Sequence, residues 1–286
     1  MSPTPKEIEL EDSYLDIIKK ASIGKGLGKK ELAKLCREDM AEINVFFAGK
    51  RNDKMMEGIS ALLELDFKAL QSHANLQVRP DPISLKGLAH FQSKFPISNE
   101  QYMWVNHYII YDTTTKDAIL FDTGTQANES IEWLNAHNLS LKAIFITHQH
   151  KDHIYCLNDF TERAPSAPIY NMGHEHLDGN FQELELDKIY TWGALSLKAF
   201  ETPGHTPDGI SYLIKGLNKP ITIVGDTLFA HSQGGIASPD NYASALKINY
   251  TKLLSLDPKT IIAPGHGPLT SVGHEQHYNP FYAHKF

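Results

Sequence analysis

Apolar residues in the first 78 positions recur at helical spacing, with no alternating stretch among them. Leu15, Ile17, Ile18 and Ala21 open one apolar face, and Leu32, Leu35 and Cys36 continue one in a second short helix. Met40, Ile43, Phe46 and Phe47 mark a third, and a fourth carries Met56, Ile59, Leu62 and Leu63 behind an Asn52-Asp53 cap. Gln77-Val-Arg-Pro-Asp-Pro-Ile83 follows, and its two prolines cannot continue a helix. From about residue 84 short β-type runs take over: Tyr108–Tyr111, Ala118–Phe121, Ala143–Ile146, Leu195–Phe200, Ile221–Val224 and Thr260–Ala263. Glu129–His137 and Tyr242–Leu256 read as helices between them. The pattern predicts a small all-α part, residues 1–78, followed by an α/β part, residues 84–286.

Composition narrows the class. The chain has 286 residues, 41% hydrophobic and 21% charged, which suits one large domain or a medium one with a small companion. No apolar run nears the ~20 residues of a membrane span, so a membrane is not an expected partner. Met1-Ser-Pro-Thr-Pro-Lys-Glu7 has no apolar signal core, which points to the cytoplasm. Two cysteines, Cys36 and Cys156, cannot make a disulfide framework. A net charge of −7 argues against nucleic acid. Homo-oligomers remain compatible with all of this. The unusual number is 15 histidines, the residue most used for metal ligation and for proton transfer near neutral pH.

Their placement is informative. Thr147-His-Gln-His-Lys-Asp-His153 puts His148, His150, Asp152 and His153 within six residues, just past a predicted strand. Extended backbone turns His148, His150 and Asp152 to one side and leaves His153 for a neighbouring position, which suits two ions better than one. His205, Asp226 and His266 each follow a glycine at or past a predicted strand end, where a tight turn aims the next side chain into a shared site. Separations of 52, 21 and 40 residues from His153 onward exceed zinc-finger spacing but suit ligands gathered from several strands. Five histidines and two aspartates suffice for two cations bridged by a carboxylate.

This seven-residue pattern resembles the ligand set of the metallo-β-lactamase-fold hydrolases over about residues 84–286. The resemblance implies a four-layer αββα sandwich with the site at the edge between two sheets. It further implies that His148, His150 and His205 hold one divalent ion, that Asp152, His153 and His266 hold the other, and that Asp226 bridges. Asp122, in Leu120-Phe-Asp-Thr-Gly124, matches the family motif whose carboxylate supports the ligand loop. Zinc is the first expectation, with iron and manganese also compatible with His and Asp donors. Asp152 and Asp226 would be the catalytic carboxylates, and a hydroxide between the ions the nucleophile. His231 and Tyr212 are candidate pocket residues.

Thr202-Pro-Gly-His-Thr-Pro207, Gly225-Asp-Thr-Leu-Phe229 and Gly265-His-Gly-Pro-Leu-Thr270 are most similar to glyoxalase II and its shorter relatives. The implied activity is hydrolysis of a small-molecule thioester or related activated acyl compound. Lactone hydrolysis and mononuclear-iron persulfide dioxygenation are the alternatives. Ala230-His-Ser-Gln-Gly-Gly235 replaces glyoxalase II's Gly-Cys-Gly-Arg-like turn, which leaves glutathione recognition open.

The first 78 residues resemble a lambda-repressor-like helix-turn-helix domain, with Glu31–Leu35 at its second helix and Gly49-Lys50-Arg51 after its recognition helix. A DNA-binding regulator with a hydrolase-fold sensor is therefore the non-enzyme alternative. Those residues hold 12 basic and 13 acidic side chains, however, and Glu38-Asp39-Met40-Ala41-Glu42 brings carboxylates where phosphates would lie. An accessory role, not DNA binding, is the expectation. His174 and His176 are expected at the surface.

Overall fold

The computed structural model describes residues 8–98, 101–172, 179–186 and 188–286. Five helices come first: α1 (Tyr14–Gly24), α2 (Lys29–Cys36), α3 (Met40–Phe47), α4 (Asp53–Leu63) and α5 (Phe67–Ala74). Local chemistry fixes their starts. Ser13 and Asp16 form a reciprocal capping box on α1, Asn52 accepts from the Met55 N–H, and Asp66 accepts from the Ala69 N–H. Each cap satisfies a donor that the helix itself leaves unpaired.

The remainder is built on two six-stranded sheets. The first contains β1 (Leu88–Pro96), β2 (Tyr102–Tyr111), β3 (Asp117–Phe121), β4 (Ser140–Phe145), β5 (Ile169–Asn171) and β6 (Phe181–Glu183), side by side in that order. The second contains β7 (Ile189–Trp192), β8 (Leu195–Glu201), β9 (Ile210–Lys215), β10 (Ile221–Gly225), β11 (Ile261–Pro264) and β12 (Thr270–Ser271), also in sequence order. Helices α6 (Asn128–Ala136), α7 (Lys151–Ile154) and α8 (Leu157–Arg163) follow strands of the first sheet. Helix α9 (Pro239–Ile248), a π-helical turn over Asn249–Leu253, and α10 (Val272–Tyr278) belong to the second half. Strands β3 to β6 run parallel, as do β10 and β11, and the other pairs are antiparallel.

Three apolar clusters define the layers. Between the sheets, Tyr108, Phe121 and Phe145 meet Leu197, Tyr212 and Ile223. On the outer face of the first sheet, Ile109, Leu120 and Ile144 pack against Trp133, Leu134 and Phe160 of α6 and α8. Outside the second sheet, Val224 and Ile262 pack with Tyr242, Leu254 and Val272. The expected αββα sandwich is therefore present, with helices preceding it. The N-terminal helices continue the third cluster: Ile17, Ile18, Leu32, Ile43, Phe46, Met56 and Ile59 are buried in it. No helix among the described residues is long and apolar enough to cross a membrane.

Candidate metal centre

Strand ends deliver the seven ligand candidates to one edge of the sandwich. β4 stops at Phe145, and the chain passes through Thr147 to His148 and His150, which starts α7 with Asp152 and His153 in its turn. His205 follows β8, Asp226 follows β10, and His266 stands one glycine past β11. Because β10 and β11 are parallel neighbours, their carboxyl ends bring Asp226 and His266 together.

Two glycines permit the crowding. A Cβ on Gly265 would lie 2.3 Å from Asp226 Oδ1 and 2.5 Å from His153 Cε1. Gly225, at φ +50°, lies where a Cβ would meet Thr147 Oγ1 at 2.3 Å. The sequence expectation of tight turns thus holds at Gly225, while Gly265 is required for close approach.

The donor atoms form two groups sharing Asp226. In the first, His148 Nε2 and His205 Nε2 lie 3.0 and 3.1 Å from His150 Nδ1, and His205 Nε2 lies 3.4 Å from Asp226 Oδ2. In the second, Asp152 Oδ2 is 3.5 Å from His153 Nε2 and 3.4 Å from His266 Nε2. Asp226 reaches this group too, with Oδ1 3.3 Å from His153 Nε2 and Oδ2 3.4 Å from His266 Nε2. Ligands of a tetrahedral ion at ~2.0–2.1 Å are roughly 3.3 Å apart, so both groups have coordination spacing.

Two further observations fit divalent cations here. His153 Nε2, His266 Nε2 and Asp226 Oδ1 are buried with no hydrogen-bond partner among the described residues, and they face this common centre. An unpaired polar atom in that position is costly without something to ligate. Electrostatics agrees. Burial opposes charge on His153, yet Asp122 and Asp226 together push its pKa up to about 10. Burial works against Asp226 as well, but His266 and His153 hold its pKa well below the carboxylate range. The carboxylates thus demand positive charge at this spot.

The far sides of these histidines are also held. His153 Nδ1 donates to Asp122 Oδ2 at 2.8 Å, His205 Nδ1 to the Gly235 carbonyl at 2.9 Å, and His266 Nδ1 to the Trp104 carbonyl at 2.6 Å. His148 Nδ1 lies 3.0 Å from Thr147 Oγ1, which itself donates to Asp122 Oδ2 at 2.9 Å. Such partners fix the tautomer that turns Nε2 inward. Asp122, buried at φ +54°, also accepts from the Thr147 N–H at 2.8 Å. One carboxylate therefore anchors both ends of the His148–His153 segment.

Several contributors left little trace in the sequence. Asn106 donates its amide to the carbonyls of Pro264 and Gly267, and Tyr108 OH donates to Pro264 as well. Strand β2 of one sheet thereby clamps the His266 turn of the other. An Asn and a Tyr inside an apolar strand carry no motif, and the Trp104 contact uses a backbone oxygen available to any residue. Glu11 is a third. Its backbone lies against Gly267, and burial raises its pKa against the opposing charges of His266 and Lys20.

Two pocket expectations are corrected. Tyr212 is fully buried between the sheets, donates to the Ile146 carbonyl at 2.6 Å and packs on Phe121 and Phe145, so its OH is already used. His231 is 1% exposed and lies in a separate chain of imidazoles. Its Nδ1 is 3.3 Å from His73 Nδ1 and its Nε2 is 2.7 Å from His274 Nε2. Burial, with His274 and His73 alongside, lowers its pKa to about 3. It joins α5 to α10 rather than lining the metal centre. His174 and His176 lie outside the described residues.

Fold and site together define a metal-dependent hydrolase framework. Residues 105–266 match the metallo-beta-lactamase superfamily model, and the chain belongs to that superfamily. Among curated relatives, it is 31% identical over 187 residues to the probable metallo-hydrolase YqgX of Bacillus subtilis, a match covering 57% of this chain and 86% of that one. It is 29% identical over 203 residues to the hydroxyacylglutathione hydrolase GloC of Haemophilus influenzae, covering 62% and 92% respectively. The solved BLEG-1 B3 metallo-beta-lactamase superposes with a TM-score of 0.54 at 29% identity, over 67% of this chain and 99% of that one.

Proposed function

We propose that this chain is a dinuclear metal-dependent hydrolase of thioesters or related activated acyl compounds. The observation that carries the reading is Asp226, whose carboxylate faces His148, His150 and His205 on one side and Asp152, His153 and His266 on the other. Bound divalent ions would supply hydroxide near neutral pH and polarise the acyl carbonyl. The residues contribute position. Asp122 and Thr147 hold the His148–His153 segment, the Gly235 and Trp104 carbonyls orient His205 and His266, and Asp152 places a carboxylate oxygen beside both His153 and His266. The ionisable side chains of both groups are committed to this arrangement. A thiolate leaves without prior protonation and therefore suits such a site. The similarity to a hydroxyacylglutathione hydrolase and to metallo-hydrolases supports the same class.

The test is a panel of simple thioesters, lactones and glutathione persulfide offered to protein of measured metal content. Thioester turnover with two ions per chain is the expected result. Oxygen consumption on persulfide with a single iron, and no thioester turnover, would replace this reading by dioxygenation. Turnover of lactones alone would shift it to lactone hydrolysis.

A further inference from the structure

His266 is a ligand candidate whose own segment does little to fix its position. It stands between two glycines in Pro264-Gly-His-Gly-Pro268, and glycine backbone is the least restricted. Gly265 cannot give way to a stiffer residue, because a Cβ there would meet Asp226 and His153. Gly267 lies in the left-handed region at φ +75°. Such a turn needs an anchor from outside, and strand β2 of the other sheet supplies it.

Asn106 of β2 is fully buried against the turn. Its backbone N–H donates to the Gly265 carbonyl at 2.8 Å. Its side-chain amide donates to the carbonyls of Pro264 at 2.9 Å and Gly267 at 2.8 Å. One residue therefore holds the backbone on both sides of His266. At the other end of the amide, Oδ1 accepts from His90 Nε2 at 2.9 Å and from Gln92 Nε2 at 3.0 Å. The side chain thus uses its full hydrogen-bonding capacity, which fixes the direction in which the NH2 points. Burial lowers the His90 pKa to about 4, so His90 remains a neutral donor to Oδ1.

The neighbouring contacts act on the same turn. Tyr108 OH donates to the Pro264 carbonyl at 2.6 Å, and the Trp104 carbonyl accepts from His266 Nδ1 at 2.6 Å. The first donor group is anchored by other residues. Thr147, held by Asp122, lies against His148, and the Gly235 carbonyl accepts from His205 Nδ1. Neither anchor involves β2.

We infer that Asn106 is a positioning residue for His266 and sets the affinity of one ion, the one facing Asp152, His153 and His266, while leaving the other ion nearly unaffected. The two ions then bind with separately adjustable strength, and occupancy of the second depends on contact between the two sheets. The inference rests on the two-ion reading of the centre and not on which acyl compound is hydrolysed.

The experiment titrates metal-stripped full-length protein with zinc against a chromophoric chelator and resolves the two binding steps. Losing an outer partner of a ligating histidine costs about 10- to 100-fold in metal affinity. Asn106→Leu should show that loss for the second ion. Its first ion should stay within about threefold of the wild type, less than one net hydrogen bond is worth. Retention of that ion also reports that the variant is folded. Asn106→Ser, smaller and still a donor, carries the test if leucine is not accommodated, with a second-ion loss of roughly tenfold expected. Tyr108→Phe leaves the Asn106 donors in place and should cost the second ion no more than about threefold. Excess zinc should restore full occupancy in each Asn106 variant, which a collapsed fold would not allow. Equal weakening of both ions in a folded Asn106 variant, or wild-type affinity for both, would overturn the inference. A wild type that binds a single ion would remove the two-ion reading itself, and the inference with it.

Discussion

Asp122 shows how one side chain organises a whole loop. Its three acceptor contacts, to the Thr147 N–H, Thr147 Oγ1 and His153 Nδ1, join the two ends of the ligand segment. In Asp122→Asn, an amide replaces one acceptor oxygen and the charge that favours inward-facing His153 is lost. We expect metal affinity to fall about 10- to 100-fold with the fold intact, as for other outer partners of ligating histidines. Equilibrium titration with a chromophoric chelator measures this, and unchanged affinity would refute the positioning role. The seven ligand candidates stand out in the sequence because His148, His150, Asp152 and His153 crowd into six residues just past a strand and the other three each follow a glycine near a strand end. Asn106, the Trp104 carbonyl and Glu11 were not, because each reaches the site through a fold that joins distant segments. His231 misled for a related reason. It follows the Gly225-Asp-Thr-Leu-Phe229 run closely in sequence, but a left-handed residue at φ +62° turns it away toward α5 and α10.

Among elements, the predicted strands β2, β3, β4, β8, β10 and β11 all exist; the apolar runs of β2, β3, β4, β10 and β11 are buried on both faces or nearly so, while β8 alternates buried and more exposed positions. Strand β1 escaped notice because its buried positions include His90 and Ser93, which break the apolar pattern that a strand usually shows. The helix predicted at Tyr242–Leu256 starts earlier, at Pro239, where proline suits a first helical turn, and it ends through a π-helical turn. The packing of α1 against α9 could not be read from periodicity at all. Gly24 lies against the ring of Tyr242, where an added Cβ would come within 2.2 Å of Cδ2. Helix propensity alone predicts that Gly24→Ala stabilises by up to about 1 kcal/mol. The contact reverses the sign, and we expect a loss of about 1–3 kcal/mol as Tyr242 is displaced. Denaturant unfolding decides between them, and a stabilised variant would show that α1 does not press on α9.

For the whole molecule, the N-terminal helices and the second sheet's outer layer share one apolar cluster, from Ile17 and Phe46 through Tyr242 to Val272. The Glu11–Asp12 segment that precedes them lies beside the His266 turn, so the helical part reaches the candidate metal centre through its leading residues. The four-layer sandwich places the ligand-bearing turns of both sheets at one edge, and Asp226 links the two donor groups there. The central claim is that these groups hold two ions through a shared carboxylate. Metal titration of the stripped full-length chain, with ions counted per chain at saturation, tests it most directly. The wild type should saturate at two divalent ions and Asp226→Ala should retain fewer than one tightly bound. Saturation of the wild type at a single ion, or two tight ions in Asp226→Ala, would contradict the account.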